Sequence, residues 1–136
     1  MERKHIILKF IEQINAHDVD GLCDLISEDH HFIDALGSVI EGREQVRKAW
    51  TGYFRMVPDY HISCEEILER DNIVAAFGTG GGTYCPHGAA VDENKWQVPA
   101  AWRAKVVDNL ISEWHVYADN EPLRRLMSKV SVAAKD

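Results

Sequence analysis

The sequence lacks the marks of several large protein classes. It has no run of lysine or arginine, and its formal charge is −7. Nucleic acid and anionic membrane surfaces both select basic patches, so neither is an expected partner. No apolar run approaches the ~20 residues that cross a bilayer. The start, MERKHIILKF, has neither the apolar block nor the small-residue cleavage site of a secretory signal. Cysteine is sparse. Cys23, Cys64 and Cys85 are odd in number and form no CxxC pair, which speaks against a disulfide framework or a zinc site. Cys85-Pro86-His87 offers two ligands and nothing nearby supplies a third, so no metal is expected. A reducing, cytoplasmic home is the default for such a chain. There is no repeat, low-complexity tract or linker, and residues 1–136 read as a single domain.

What is present is an ordinary globular balance: 136 residues, 46% apolar and 27% charged. The stretch from His30 to Trp50 organises the rest. It opens as a strand centred on Phe32 and Ile33, breaks at Gly37-Ser38, and resumes with Val39 and Ile40. After Gly42 the period changes. Val46, Ala49, Trp50, Tyr53, Phe54 and Val57 recur as one stripe of an amphipathic helix, which Pro58 ends. Asp34 sits in the strand, although aspartate is a poor strand former and a carboxylate against an apolar face is costly unless paired or neutral. Two explanations stand side by side. Asp34 bonds backbone in the turn at Gly37-Ser38, or it has a chemical role.

Before this stretch, residues 2–16 form a helix with Ile6, Ile7, Phe10, Ile11 and Ile14 as its buried stripe. Asp18 caps a second helix whose apolar face is Leu22, Leu25 and Ile26. After it, Tyr60, Ile62 and Cys64 alternate with His61, Ser63 and Glu65, as in a half-buried strand. Asp71-Asn72 is a turn. The strand over residues 73–84 carries Gly78, Gly80, Gly81 and Gly82, which either clear a cavity or bend a curved sheet. A polar loop over residues 85–94 follows. Residues 95–107 and 110–119 form a hairpin over Asp108-Asn109. On its first strand Trp96, Val98, Ala100, Trp102 and Ala104 share one face, and Pro99, Ala101, Arg103 and Lys105 the other. On its second, Trp114, Val116 and Ala118 oppose His115 and Tyr117. With aromatics on both sides, both faces are expected to be buried, one on the core and one on a second subunit. Pro122 opens a last helix with Leu123, Leu126, Met127 and Val130 as its stripe.

This order predicts an α+β fold. Helices on one face of a curved sheet leave an apolar cavity, lined here by Phe10, Phe32, Trp50, Tyr53, Phe54, Trp114 and Val116, with Asp34 among them.

Three segments carry a resemblance to a known family: INAHDVDGLCDLISEDHHFIDALG (residues 14–37), GREQVRKAW (42–50) and PAAWRAKVVDNLISEWHVYADNEP (99–122). Over nearly its whole length the chain resembles the SnoaL-like members of the nuclear transport factor 2 superfamily. That group includes ketosteroid isomerases, polyketide cyclases and limonene epoxide hydrolases. The resemblance implies a cone, with a strongly curved mixed or antiparallel sheet wrapped around three N-terminal helices. It also implies a pocket at the open end and a homodimer through the C-terminal sheet. One such fold hosts enzymes, binding modules and transport factors alike.

Within the resemblance, Asp34 falls where ketosteroid isomerases carry their general base. The isomerase oxyanion donors do not carry over: Phe10 stands at the tyrosine position and Ala101 at that of the protonated aspartic acid. Losing one such donor costs ~3 kcal/mol of barrier. The hydrolase Arg and Asp would fall near Gly78 and Gly80, and its second Asp near Val116. Tyr53, Trp50, Trp114 and Arg103 are stand-in donors; Arg103 could equally pair with Asp34. His61 is the histidine best placed to carry a proton.

Two functions follow. In the first, Asp34, its pKa raised by an aromatic pocket, moves a proton on a small apolar or aromatic carbonyl compound, giving isomerisation or cyclisation without metal or organic cofactor. In the second, the domain is a non-catalytic small-ligand or dimeric interaction module.

Overall fold

The computed structural model describes residues 2–86 and 92–135. Its elements are α1 (Arg3–Asn15), α2 (Val19–Cys23), β1 (Ile26–Ile33), β2 (Val39–Glu41), α3 (Arg43–Met56), β3 (His61–Arg70), β4 (Ile73–Thr83), a 3-10 turn (Asp92–Asn94), β5 (Lys95–Val107), β6 (Leu110–Ala118) and α4 (Glu121–Lys135). His87 and the centre of the expected polar loop lie outside the described residues.

The helices form where the apolar periods place them. Ile6, Ile7, Phe10, Ile11 and Ile14 are all buried on α1. The helix ends as His17 turns left-handed, with φ of 56°. There its ring stacks on Phe54 at 4.3 Å and its Nε2 meets the Tyr60 carbonyl oxygen at 2.9 Å. Asp18 caps α2 by accepting the Gly21 N–H at 2.9 Å. This helix is a single turn and stops at Cys23. Ile26, expected on its apolar face, opens β1 instead, paired with Ile111 of β6. The Ile111 N–H donates to the Leu25 carbonyl at 2.8 Å, so sheet pairing claims a β-branched residue that either period would accept.

The sheet has six strands in the order β2-β1-β6-β5-β4-β3. The β1–β6 pairing is parallel, and the others are antiparallel. Irregularities between Ile26 and His31, between Cys64 and Glu66, and between Lys105 and Val106 interrupt the ladders. Bulges of this kind bend and twist a strand, and the sheet curves without closing. Glycine serves the curvature directly. A Cβ at Gly78 would run into the carbonyl oxygen of Ser63, and one at Gly81 into that of Trp96.

The β5–β6 hairpin turns at Asp108 and Asn109, both at positive φ, the backbone a two-residue hairpin loop requires. Its register sets Ala104 against Trp114, Trp102 against Val116 and Ala100 against Ala118. Trp96, Trp102 and Trp114 are buried at 7%, 2% and 1% exposure, all toward the helices. All three tryptophans lie on the inner face, so the aromatics of the outer face on this hairpin are His115 and Tyr117. That face holds Arg103 and Lys105, with Phe77 and Tyr117 exposed at 41% and 50%.

The core sits between α1, α3 and the sheet, with Phe10, Trp50 and Trp114 at its centre. A second cluster of Val57, Trp96 and Val98 receives Leu123 and Leu126, which seats α4 across the open end of the curve. Among the described residues, no helix is long and apolar enough to cross a membrane.

Candidate functional site

Between the concave sheet face, α3 and α4 lies a cavity of about 650 Å³. That is within the ~300–1,000 Å³ range of small-molecule pockets. Its inner end is aromatic and buried: Phe32, Trp50, Trp102 and Trp114 line it. Trp102 and Trp114 stack at 6.2 Å, and Phe32 meets Trp50 edge-to-face at 5.6 Å. Tyr53 and Tyr60, edge-to-face at 5.0 Å, form one wall. Gly80 lies under them, where a Cβ would sit 3.3 Å from the Tyr60 hydroxyl and 3.5 Å from the Trp102 ring. The two readings of the glycine strand thus divide: Gly78 and Gly81 permit close backbone approach, and Gly80 leaves room in the cavity. Burial holds the Tyr53 and Tyr60 phenols well above their ordinary pKa, and Tyr60 adds to the effect on Tyr53. Both therefore stay protonated and able to donate.

The outer end is different. Asp34, Ala35 and Leu36 from the β1–β2 turn line it, together with Lys48, Gly52 and Met56 from α3 and Asn120, Leu123, Arg124 and Met127 at and within α4. Asp34 builds its own turn. Its Oδ1 accepts the N–H of Leu36 at 2.9 Å and of Ser38 at 3.0 Å. Its N–H donates to the Ser38 carbonyl, and its carbonyl accepts the Gly37 N–H. Both side-chain bonds fall on Oδ1, so Oδ2 remains outside them. Asp34 thus has the turn-building role and also a place on the cavity wall, and is the only acidic residue there among those described.

Of the expected lining, Phe32, Trp50, Tyr53, Trp114 and Val116 face the cavity and Phe10 and Phe54 do not. Phe10 is wholly buried behind the wall, 4.9 Å from Trp114. Phe54 packs on Trp50 at 5.3 Å. A ring on the correct stripe of a helix fills core or borders a void depending on what lies opposite, and the stripe does not record that. Arg103 is on the outer face, bonded to Glu113 at 2.5 Å, and pairs with that carboxylate rather than with Asp34. His61 is exposed at the start of β3 and is not part of the lining. Ala101 faces outward, and Ala100 occupies the wall in its place. Neither alanine carries a donor.

The indoles expected as stand-in donors are closed off. Nε1 of Trp50 and of Trp114 is buried from solvent without a hydrogen-bond partner among the described residues, so neither N–H is presented to a ligand. His30 is a strand residue to which the sequence assigns no chemical role. It is wholly buried, its Nδ1 lies 2.7 Å from the Ile111 carbonyl oxygen, and its Nε2 has no partner. Burial pushes its pKa down to about 4, against the raising effect of the Ile111 bond. It does not reach the cavity. No cluster of three metal-ligating side chains occurs among the described residues, and Cys23, Cys64 and Cys85 are free thiols. The residues of the outer end that α4 contributes, and Lys48, were missed. Lys48, Gly52 and Met56 share a ridge at four-residue spacing beside the aromatic stripe, which was the available signal.

The SnoaL-like domain family matches residues 7–114. The chain belongs to that family. Solved structures agree on the fold. A candidate SnoaL-like polyketide cyclase from Shewanella denitrificans superposes with a TM-score of 0.79 at 14% identity, over 93% of this chain and 97% of that one. IdmH, a candidate polyketide cyclase from Streptomyces antibioticus, gives 0.77 at 19% identity over 94% and 99%. A hypothetical protein of ketosteroid isomerase-like fold from Catenulispora acidiphila, in complex with trimethylamine, gives 0.77 at 18% identity over 90% and 92%. At these identities the likeness concerns the cone fold alone. No curated protein sequence matches this SnoaL-like domain.

Proposed function

We propose that this SnoaL-like domain binds a small, mostly apolar carbonyl compound in its cavity and moves a proton on it with Asp34. The result is an isomerisation or cyclisation that needs no metal or organic cofactor. The observation that carries the reading is that Asp34 is the one described acidic residue on the wall of a cavity whose inner end is aromatic. With Oδ1 held by two backbone N–H groups, Oδ2 is the oxygen that takes the proton beside the carbonyl. The electron pair passes to the carbonyl oxygen as an enolate, and the carboxyl returns the proton at another carbon. Tyr53 and Tyr60, kept neutral by burial, are the available hydroxyl donors for that oxygen. The cyclase-like relatives are consistent with this class of chemistry and do not name a substrate.

A panel of ketones, enones and aromatic polyketide-like compounds tests the reading. Turnover that disappears in Asp34→Asn supports it. The amide keeps an oxygen for Leu36 and Ser38 while removing the base, so the turn survives. No Asp34-dependent turnover across the panel counts against it.

A second reading, a non-catalytic binding module, draws on the turn bonds of Asp34 and on the missing donors at Phe10 and Ala101. Tight binding unchanged by Asp34→Asn, without turnover, favours it. In both readings we propose self-association through the outer sheet face, where Phe77 and Tyr117 are exposed. A monomeric mass in light scattering at micromolar concentration sinks that part.

A further inference from the structure

The outer end of the cavity holds a charge pattern that the proton-transfer reading does not use. The chain as a whole is acidic, with 22 Asp and Glu against 15 Lys and Arg. The cavity wall reverses that balance, with Lys48 and Arg124 against the single carboxylate of Asp34 among the described residues. The two cations come from different helices: Lys48 from α3 and Arg124 from α4. Both are exposed, so their side chains remain hydrated and free to turn toward a ligand.

Their neighbours on the same helices are committed. Arg47 contacts Asp20 and Glu44, and Arg125 bonds Glu121 at 3.2 Å. Neither Lys48 nor Arg124 forms an ion pair among the described residues. A cation beside an apolar opening, left unpaired on an acidic protein, is a ready contact for an anion. Asn120, also on the wall, adds amide donors.

Gly52 supports the same conclusion from a different direction. It sits one turn after Lys48 and one turn before Met56, within α3 and on the cavity wall. Glycine inside a helix costs roughly 0.5–1 kcal/mol relative to alanine. Here nothing in the protein requires it, because a Cβ would meet no atom within 4 Å. Its effect is to lower the rim of the cavity next to Lys48.

We propose that the ligand of this cavity is an apolar acid, whose carboxylate is held at the outer end by Lys48 and Arg124 while its body passes over Gly52 to the aromatic inner end. The assignment deepens the reading of the cavity as a small-molecule site and rests on it. The compound that Asp34 acts on then carries a carboxylate beside its carbonyl, and a neutral ketone is a weaker ligand of the same site.

The test compares naphthylacetate with naphthylacetamide, which match in shape and differ in charge, by isothermal titration calorimetry at low salt. The acid is expected to bind about tenfold more tightly, the scale two exposed ion pairs supply. That margin shrinks as salt is added. It vanishes in Lys48→Gln/Arg124→Gln while the affinity for the amide is unchanged. The double charge reversal Lys48→Glu/Arg124→Glu moves the preference to naphthylmethylamine. Equal binding of acid and amide to the wild type overturns the head-group assignment and leaves the apolar site standing. A preference for the acid that survives in Lys48→Gln/Arg124→Gln overturns it too. Failure of both compounds to bind overturns the head-group assignment together with the reading of the cavity as a small-molecule site.

Discussion

The two ends of the cavity are built on opposite terms. At the inner end, Phe32, Trp50, Trp102 and Trp114 meet ring against ring, and the polar atoms of two indoles are shut away from any ligand. At the outer end, Asp34 stands on a turn, Asn120 just before α4, and Lys48 and Arg124 on two helices, with both cations exposed to water. A side chain at the inner end therefore acts chiefly through packing, and one at the outer end chiefly through its charge. In the proposed function, the contrast lets one small domain hold an apolar molecule and act on its polar group. The apolar surface supplies most of the binding free energy, and the few polar groups set orientation and chemistry.

Substitutions can break that contrast, and the largest effect belongs to the inner end. Trp114→Ala removes a ring that is 1% exposed and packed on Phe10 and Trp102. The expected loss is ~3–5 kcal/mol of stability, read as a lower midpoint in urea. An outer-end residue such as Lys48→Ala should stay within about 0.5 kcal/mol of wild type.

Next is the buried histidine of the core. Burial holds the pKa of His30 down to about 4 in the folded chain, against its ordinary value of 6.5. The unfolded chain therefore binds the proton first as pH falls. Stability that is complete above the unfolded pKa is lost as pH drops toward the folded one, and below that the loss levels off. At ~1.4 kcal/mol per pH unit the full drop is roughly 3 kcal/mol. Urea unfolding at a series of pH values reads it, and His30→Asn should flatten the slope between those two pKa values.

The smaller effects sharpen the outer end. Asp34→Ala removes the acceptor for two backbone N–H groups and should cost about 1 kcal/mol, whereas Asp34→Asn should leave thermal stability nearly unchanged. Gly52→Ala should raise stability by ~0.5–1 kcal/mol, since the helix gains and nothing is displaced. A bulkier Gly52→Leu should keep that stability and weaken binding of any ligand that crosses the rim. Thermal melts paired with a binding titration separate the two effects.

Much of the inner end was legible in the sequence. Alternation from Trp96 to Ala104 identifies one sheet face without knowledge of the fold, and the helix stripe through Trp50 and Tyr53 identifies the surface opposite. Period alone could not decide which rings border the void. Phe10 and Phe54 lie on the correct stripes and are core, because Trp114 and His17 pack against them. Nor could it show that β1 runs parallel to β6, since that pairing joins residues far apart in the chain. The outer end was mostly illegible. The stripe of Leu123, Leu126 and Met127 predicts a helix but not what the helix covers, so Arg124 looked like any surface charge. Asp34 was the exception. An aspartate in a strand asked for an explanation, and the structure supplies a turn held through Oδ1, with Oδ2 outside those bonds.

The most direct measurement is exchange of the protons beside the carbonyl of β-tetralone, an apolar bicyclic ketone, followed by NMR in heavy water. A general base at Asp34 predicts exchange well above the buffer rate in the wild type and near the buffer rate in Asp34→Asn, with binding of the ketone retained in both. Exchange equal in the two proteins, or no faster than buffer in either while the ketone is bound, would contradict it. The cavity would then be a site that holds its ligand without acting on it.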